Sequence, residues 1–208
     1  MFYETAKQDH GLKHNPFKAC VVPRPIGWFT SLDAKGRVNL APYSFFNALA
    51  ADPPMVMFSA NGVKAEESRA KDSVTNVEET GEFVANLVTW DLREQMVQTS
   101  APLAHGQSES DFAGLDLVPS CLVSPPRVAA APINMECRLW KVIELPCGTP
   151  GERNTMVIGE VIAIHIDDAI IIDGMVDLTL VRPVARLGYL QYAAVNSVFD
   201  MRRPPGAG

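Results

Sequence analysis

The hydrophobic pattern of the chain is that of a series of short strands separated by proline and glycine. Apolar and polar residues alternate over residues 133–145, INMECRLWKVIEL, which is the period-two pattern of a half-buried strand. Asn134 and Glu136 fall on the polar side of that strand. Residues 155–166, TMVIGEVIAIHI, are nearly all apolar, which is typical of a more deeply buried strand.

The first third of the chain predicts a hairpin followed by a third strand. Residues 19–32 predict a strand with an irregular start, because its two prolines cannot donate ladder hydrogen bonds. A tight turn over 33–36 places a glycine where a positive φ is useful. The chain then returns as a second strand over 37–47. A double proline at 53–54 opens a third apolar run, MVMFSA.

Two short helices are predicted in the middle of the chain, with a strand between them. Asp72 or Ser73 can cap the first helix, and Gly81 suits its C-terminal stop. Residues 82–88, EFVANLV, predict a strand. Residues 91–100 predict the second short helix.

These elements predict a mainly β fold, a closed antiparallel barrel with short helical insertions. Residues 102–132 are rich in proline, glycine and serine and predict a long loop. A parallel βαβ fold is less favoured, because helical crossovers do not recur between the strands. We expect one domain over residues 1–208, with segments 1–16 and 204–208 loosely ordered.

Composition and charge exclude several classes of function. The chain has 18 Lys+Arg against 24 Asp+Glu, a net charge of −6, which argues against a nucleic-acid partner. The polar N-terminus lacks the apolar core of a signal peptide, and no apolar run approaches the ~20 residues of a membrane span. We therefore expect a cytoplasmic protein. The four cysteines form no CxxC pair, so we expect buried thiols and no metal site.

The common catalytic and nucleotide-binding motifs are absent, and the isolated candidates are weak. The sequence contains no GxGxxG, P-loop, HExxH or GxSxG motif. His105 is either solvated or near a pocket, and His165 is expected to be a hydrogen-bonded residue of the barrel. Tyr189 and Tyr192 either pack the C-terminal segment on the barrel or line a pocket. No residue is assigned a catalytic role.

One long block of the sequence resembles the flavin reductase-like family, which includes the reductase components of two-component monooxygenases and the flavoredoxins. The block is RPIGWFTSLDAKGRVNLAPYSFFNALAADPPMVMFS, residues 24–59. Similar stretches follow at 71–88, 125–139 and 182–193. The resemblance implies an FMN-binding split β-barrel, antiparallel and Greek-key-like, that forms a homodimer. It also implies an NADH- or NADPH-dependent flavin reductase, with a separate monooxygenase component as one partner to test. The alternative is an FMN-binding electron carrier without its own NAD(P)H activity.

The resemblance also implies which residues bind FMN. It places the flavin ring along Ser44, Phe45, Phe46 and Asn47. It places the phosphate near Ser59 and the helix start at Lys71 and Ser73. From their charge and position, Lys64 and Arg69 are alternative cationic partners of the phosphate.

The residue types suit these roles. A flavin site needs apolar surface, a few donors and acceptors, and a place for an anion. Phe45 and Phe46 point to opposite faces of an extended chain, so only one can contact the ring and the other should pack in the core. A half-buried strand with a bulge and a solvated helix start are the alternatives that the residues alone leave open. Hydride transfer to a flavin needs no general acid or base, so a missing catalytic triad is no objection.

Overall fold

The computed structural model describes residues 1–63, 70–101, 103, 108–202 and 204. In chain order the strands are β1 (Arg24–Pro25), β2 (Gly27–Leu32), β3 (Val38–Tyr43), β4 (Phe46–Ala51), β5 (Pro54–Asn61), β6 (Glu82–Leu87), β7 (Leu117–Val118), β8 (Arg127–Val128), β9 (Ile133–Leu145), β10 (Asn154–Ile166), β11 (Ile171–Ile172), β12 (Met175–Val176), β13 (Val184–Arg186) and β14 (Tyr192–Ala194). Most of these strands are short, whereas β9 and β10 have 13 residues each.

The helices are short and lie between the strands. They are α1 (Phe17–Cys20), α2 (Asp72–Thr80), α3 (Arg93–Gln98), α4 (Glu109–Phe112) and α5 (Leu178–Val181), with one 3₁₀ turn at Asp168–Ile170. In the part of the chain that the structure describes, no helix combines the length and the apolar character that crossing a membrane requires.

One large antiparallel sheet organises the molecule. Its seven strands lie in the order β3-β2-β6-β9-β10-β5-β4, and a smaller three-stranded sheet has the order β1-β13-β14. The strands β3 and β4 are consecutive in the chain yet occupy opposite edges of the large sheet, so the sheet curls until its edges approach. The mainly β, antiparallel split-barrel prediction is confirmed.

Two of the predicted strands are broken where the sequence places irregular residues. The region 19–32 contains the end of α1 and two strands, β1 and β2, rather than one strand. The region 37–47 divides into β3 and β4, with residues 44–45 between them. The hairpin itself is confirmed, because β2 pairs with β3 from Gly27 opposite Tyr43 to Leu32 opposite Val38.

The helix boundaries follow the prediction closely, but the capping residues differ. The N-cap of α2 is Lys71, without a side-chain capping bond, so the prediction of Asp72 or Ser73 as the cap was wrong. Gly81 ends α2 with a φ of 76°, as expected for a left-handed C-cap. The loop predicted at 102–132 contains α4, β7 and β8.

The core beneath the large sheet is built on stacked aromatic rings. The ring centroids of Phe29 and Phe58 lie 4.3 Å apart, and Phe83 lies 5.7 Å from Phe29. Val74 and Val77 of α2 are 1% exposed and belong to the same cluster. Helix α2 therefore packs directly on the aromatic core, and its position is set by the sheet.

The polar side of β9 is buried at Asn134 and Glu136, where its alternation predicts exposure, and is exposed as predicted at Arg138 and Glu144. The Glu136 side chain is fully buried, and its two carboxylate oxygens accept from the backbone amides of Cys121, Leu122 and Val123 at 2.6–3.1 Å. The Nε2 atom of His165 lies 2.5 Å from Oε1, which confirms His165 as a hydrogen-bonded residue of the barrel. The loop at residues 121–123 covers this side of the strand and supplies the amide donors. The alternation within the strand does not predict that loop.

The cysteines also differ from the prediction. All four are free thiols, but Cys20, Cys121 and Cys147 are exposed and only Cys137 is buried. Burial raises the pKa of the Cys137 thiol far above its ordinary value, which keeps it neutral and unreactive.

The substitution Glu136→Gln should lower the free energy of unfolding by about 2 kcal/mol at neutral pH, because a neutral amide cannot accept all of these bonds. Burial opposes ionisation of Glu136, but the amides of Cys121 and Leu122 and the His165 ring outweigh it and lower its pKa. The stabilisation is therefore present above the ordinary pKa of 4.5 and is lost as the pH falls through the lower folded value.

Urea unfolding at a series of pH values measures this effect. The control is Glu144→Gln on the same strand, whose exposed carboxylate pairs with Arg153 at 3.2 Å and should change stability by less than ~0.5 kcal/mol. Equal losses in the two variants at neutral pH would contradict the role assigned to the buried carboxylate.

Candidate functional site

The connection between β3 and β4 separates its two phenylalanines. Phe46 packs edge-on against Phe29 with a centroid distance of 5.6 Å and joins the aromatic core. Phe45 lies outside that cluster, with the guanidinium carbon of Arg24 5.8 Å from its ring centroid. One of the two rings, Phe46, therefore packs against the core, and Phe45 is the ring that a ligand could contact.

Ser59 lies directly beside this connection. Its backbone N–H donates to the carbonyl of Phe45 at 2.8 Å, which joins the middle of β5 to the residues between β3 and β4. Asn47, the second residue of β4, is exposed, and its Oδ1 accepts from the Ala48 amide at 3.0 Å. The structure therefore brings Ser59 and the 44–47 stretch together at one edge of the sheet.

The start of α2 approaches the same place from the other side. Ser73 is 1% exposed, and its hydroxyl accepts from the Asn39 Nδ2 atom at 2.8 Å and is hydrogen-bonded to Tyr43. Lys71 is half-buried at the N-cap, and its carbonyl accepts from the Val74 amide at 2.9 Å. The hydroxyl of Ser73 thus joins the helix to β3. Ser73 is more deeply buried than a residue that contacts a phosphate at the surface needs to be.

Tyr43 connects the two predicted ends of the site. Its hydroxyl meets Ser73 at the helix start, and the next residue, Ser44, begins the connection to β4. Burial raises the pKa of Tyr43 to about 12, although the hydrogen bond with Ser73 opposes the shift. The phenol therefore stays protonated and neutral at physiological pH, where it can hold its hydrogen bond.

A large cleft opens on the other side of Ser44. Its volume is about 950 Å³, and its walls come from the N-terminal segment, the small sheet and the β3–β4 connection. Tyr189 and Tyr192 both line it, which supports the interpretation of these aromatics as pocket residues. The lining also includes Tyr3, Thr5, Gln8, Asn15, Phe17, Lys18, Arg24, Ile26, Pro42, Met96, Ser100, Arg186 and Leu187.

Sequence reasoning missed the cations of this cleft. Arg24 lies in β1 and Arg186 in β13, far apart in the chain, and only the pairing of these strands brings them together. The signal available in the sequence was that both arginines lie inside stretches that resemble the family. The candidates Lys64, Arg69 and His105 lie outside the described residues.

A second group of side chains could be mistaken for a metal centre. The ligand atoms of Cys121, Glu136 and His165 lie within 4.8 Å of one another. The Glu136 oxygens already accept three amide hydrogen bonds, and the 2.5 Å separation from His165 is a hydrogen-bond distance. Two ligands on one zinc ion, each at ~2.0–2.2 Å with tetrahedral angles, would lie farther apart. The group is a hydrogen-bond network that fixes a loop.

Taken together, the curled antiparallel sheet and its short helices define a split-barrel protein. The chain matches the flavin reductase like domain over residues 19–178 and belongs to the flavin reductase-like family.

Three similar proteins illustrate this relationship. An uncharacterized protein of Halalkalibacterium halodurans is 37% identical over 185 residues, covering 88% of this chain and 87% of that protein. The crystal structure of nitrilotriacetate monooxygenase component B from Bacillus cereus is 29% identical with a TM-score of 0.86, covering 97% of this chain and 98% of that one. That of the Pseudomonas fluorescens 2-nitrobenzoate 2-nitroreductase NbaA is 30% identical with a TM-score of 0.82, covering all of both chains.

The raised pKa of Tyr43 leads to a testable expectation. In the folded protein Tyr43 should ionise near pH 12, so Tyr43→Phe should remove that step from a titration of tyrosinate absorbance. Tyr43 therefore stabilises the fold below its ordinary pKa of 10.0, and this contribution is lost as the pH rises towards about 12. The matched control, Tyr3→Phe, should leave the late step in place. A titration of Tyr43→Phe that overlays the wild-type curve at its alkaline end would show the assignment to be wrong.

Proposed function

We propose that this protein is an FMN-binding oxidoreductase that transfers a hydride from NADH or NADPH to the flavin. Membership of the flavin reductase-like family supports the class of reaction. The observation that carries the proposal is the hydrogen bond of 2.8 Å from Asn39 of β3 to the Ser73 hydroxyl, which holds β3 and the connection that follows it beside the start of α2. The connection is proposed to bind the flavin ring and the helix start to bind the phosphate. One FMN molecule needs both groups of residues close together.

The residues present fit the chemistry of FMN. Phe45 offers an aromatic face outside the core, and Ser44 offers a hydroxyl that can donate and accept. Lys71 brings a positive charge to the start of a nine-residue helix, where amide N–H groups lack intrahelical acceptors and the helix dipole favours an anion. Ser59 and Asn47 would complete the polar contacts. Phe46 would support the site from the core, and Ser73 would position the helix start.

When bound, FMN supplies the hydride chemistry, because its N5 atom accepts a hydride from the C4 atom of a reduced nicotinamide. The chain has the simpler task of orienting the reactants and excluding water. Ser44 lines the cleft of about 950 Å³. The cleft therefore gives a second molecule access to the residues proposed for the flavin ring. No side chain is required to move a proton in this step.

We also propose that the protein acts as a homodimer. The edge strand β4 exposes Leu49, at 49%, together with its neighbouring alanines. An uncovered edge with an apolar surface favours pairing with another chain. Because Asn47 lies on this strand, the proposed interface adjoins the flavin site. A separate monooxygenase component is the proposed acceptor of the reduced flavin, as the name of the Bacillus cereus neighbour suggests.

The purified protein should bind FMN and oxidise NADH or NADPH. Adding FMN should give a flavin absorbance that co-elutes with the protein, and anaerobic NADH or NADPH should bleach it in a stopped-flow trace. Protein that shows no flavin absorbance or titration signal would contradict the cofactor. Bound FMN that neither nucleotide bleaches, but that a partner reductase does, would instead favour the electron carrier without its own NAD(P)H activity.

The phosphate contact can be tested separately from the ring contact. Lys71→Ala should weaken FMN binding about tenfold, because it removes one charge-assisted hydrogen bond, but should leave the affinity for riboflavin unchanged. Fluorescence titration with both flavins measures the two constants. The control is Lys141→Ala, which removes an exposed lysine of β9 and should change neither. A parallel loss of FMN and riboflavin affinity in Lys71→Ala would place the lysine at the ring rather than at the phosphate.

A further inference from the structure

Two arginines face each other across the small sheet. Arg24 of β1 pairs directly with Arg186 of β13 in an antiparallel ladder, so their side chains leave the same face of the sheet. Like charges in directly opposed positions destabilise a pair of strands. The fold therefore retains an unfavourable contact at the wall of this cleft.

The Arg24 side chain is buried but only partly satisfied. It is 5% exposed, and its terminal nitrogens donate to the carbonyls of Lys18, Val21 and Leu187. Among the residues that the structure describes, its Nε atom has no hydrogen-bond partner. Burial and the charge of Arg186 both lower the pKa of Arg24. Two like charges at a buried position are costly, and an anion in the cleft would relieve their repulsion.

The cleft around these arginines has the charge and surface of an anion site. Lys18 adds a third positive charge, and none of the described residues that line the cleft is acidic. This contrasts with the net charge of −6 for the chain. The Arg186 guanidinium lies 4.3 Å from the ring centroid of Tyr192 and donates to the Tyr189 carbonyl, so both tyrosines are held beside the cations.

The cationic wall is continuous with the proposed flavin site. Ser44 lines the same cleft, and Arg24 lies against the Phe45 ring. A molecule bound between the arginines would therefore lie next to the residues proposed for the flavin ring. Neither Lys71 nor Ser73 lines this cleft, so the anion site is separate from the one proposed for the FMN phosphate.

We propose that this cleft binds the anionic group of the molecule that exchanges electrons with the flavin, an organic anion whose flat ring lies against Tyr189 and Tyr192. The inference rests on the proposed function for its role, but the binding itself does not need a flavin. The same chemistry has two sources: the carboxylate of an aromatic acceptor, or the diphosphate of the nicotinamide donor.

Isothermal titration calorimetry with three probes tests the proposal. Benzoate represents the aromatic carboxylate, ADP-ribose represents the diphosphate, and benzamide is the uncharged counterpart of benzoate. We expect one of the two anions to bind and benzamide not to. Arg186→Gln should weaken that anion about tenfold, and Arg186→Lys should retain part of the affinity. Binding should also weaken with added salt.

The controls separate this result from misfolding and from the flavin proposal. Arg138→Gln removes an exposed arginine of β9 and should leave anion binding unchanged. Lys18→Gln, at an exposed position, is a second variant that should weaken binding if Arg186→Gln does not fold. Flavin absorbance reports FMN binding independently in every variant. Failure of both anions to bind, or equal binding to Arg186→Gln and Arg138→Gln, would overturn the proposal even in a protein that binds FMN.

Discussion

The hydroxyl of Ser73 is the contact on which the arrangement of the candidate site depends. It accepts from Asn39 and bonds to Tyr43, both in β3, and so fixes the start of α2 against an edge of the large sheet. Farther along the helix, the Asn76 Nδ2 atom donates to the Ser31 hydroxyl at 3.1 Å. These buried polar contacts define one angle of the helix on the sheet, whereas the apolar contacts of Val74 and Val77 alone would allow several.

This constraint explains why a fixed site can form from a chain with so much irregular structure. The β3–β4 connection is held by the Ser59 amide on one side and by the Phe46 ring in the core on the other. The helix start is held by Ser73. Both ends of the proposed flavin site are therefore fixed to the same aromatic core.

The sequence predicted the long strands well because their patterns are local. Period-two alternation identified β9, and a continuous apolar run identified β10. The same local pattern could not show that Glu136 is buried, since the loop at 121–123 that covers it is contributed by another part of the chain. Ser73 shows the same limit: a hydroxyl at a helix start is visible in the sequence, but the side to which it turns depends on β3.

The cationic cleft could not be predicted from the sequence for a related reason. Arg24 and Arg186 become neighbours only through the pairing of two short strands, and a net negative charge conceals a positive site. The division of the fold then has a consequence for function. The large sheet and α2 hold the residues proposed for the flavin, whereas the small sheet and the N-terminal segment line the cleft for its reaction partner. Because neither Lys71 nor Ser73 lines that cleft, changes in the small sheet can alter the partner while the contacts proposed for the FMN phosphate stay in place.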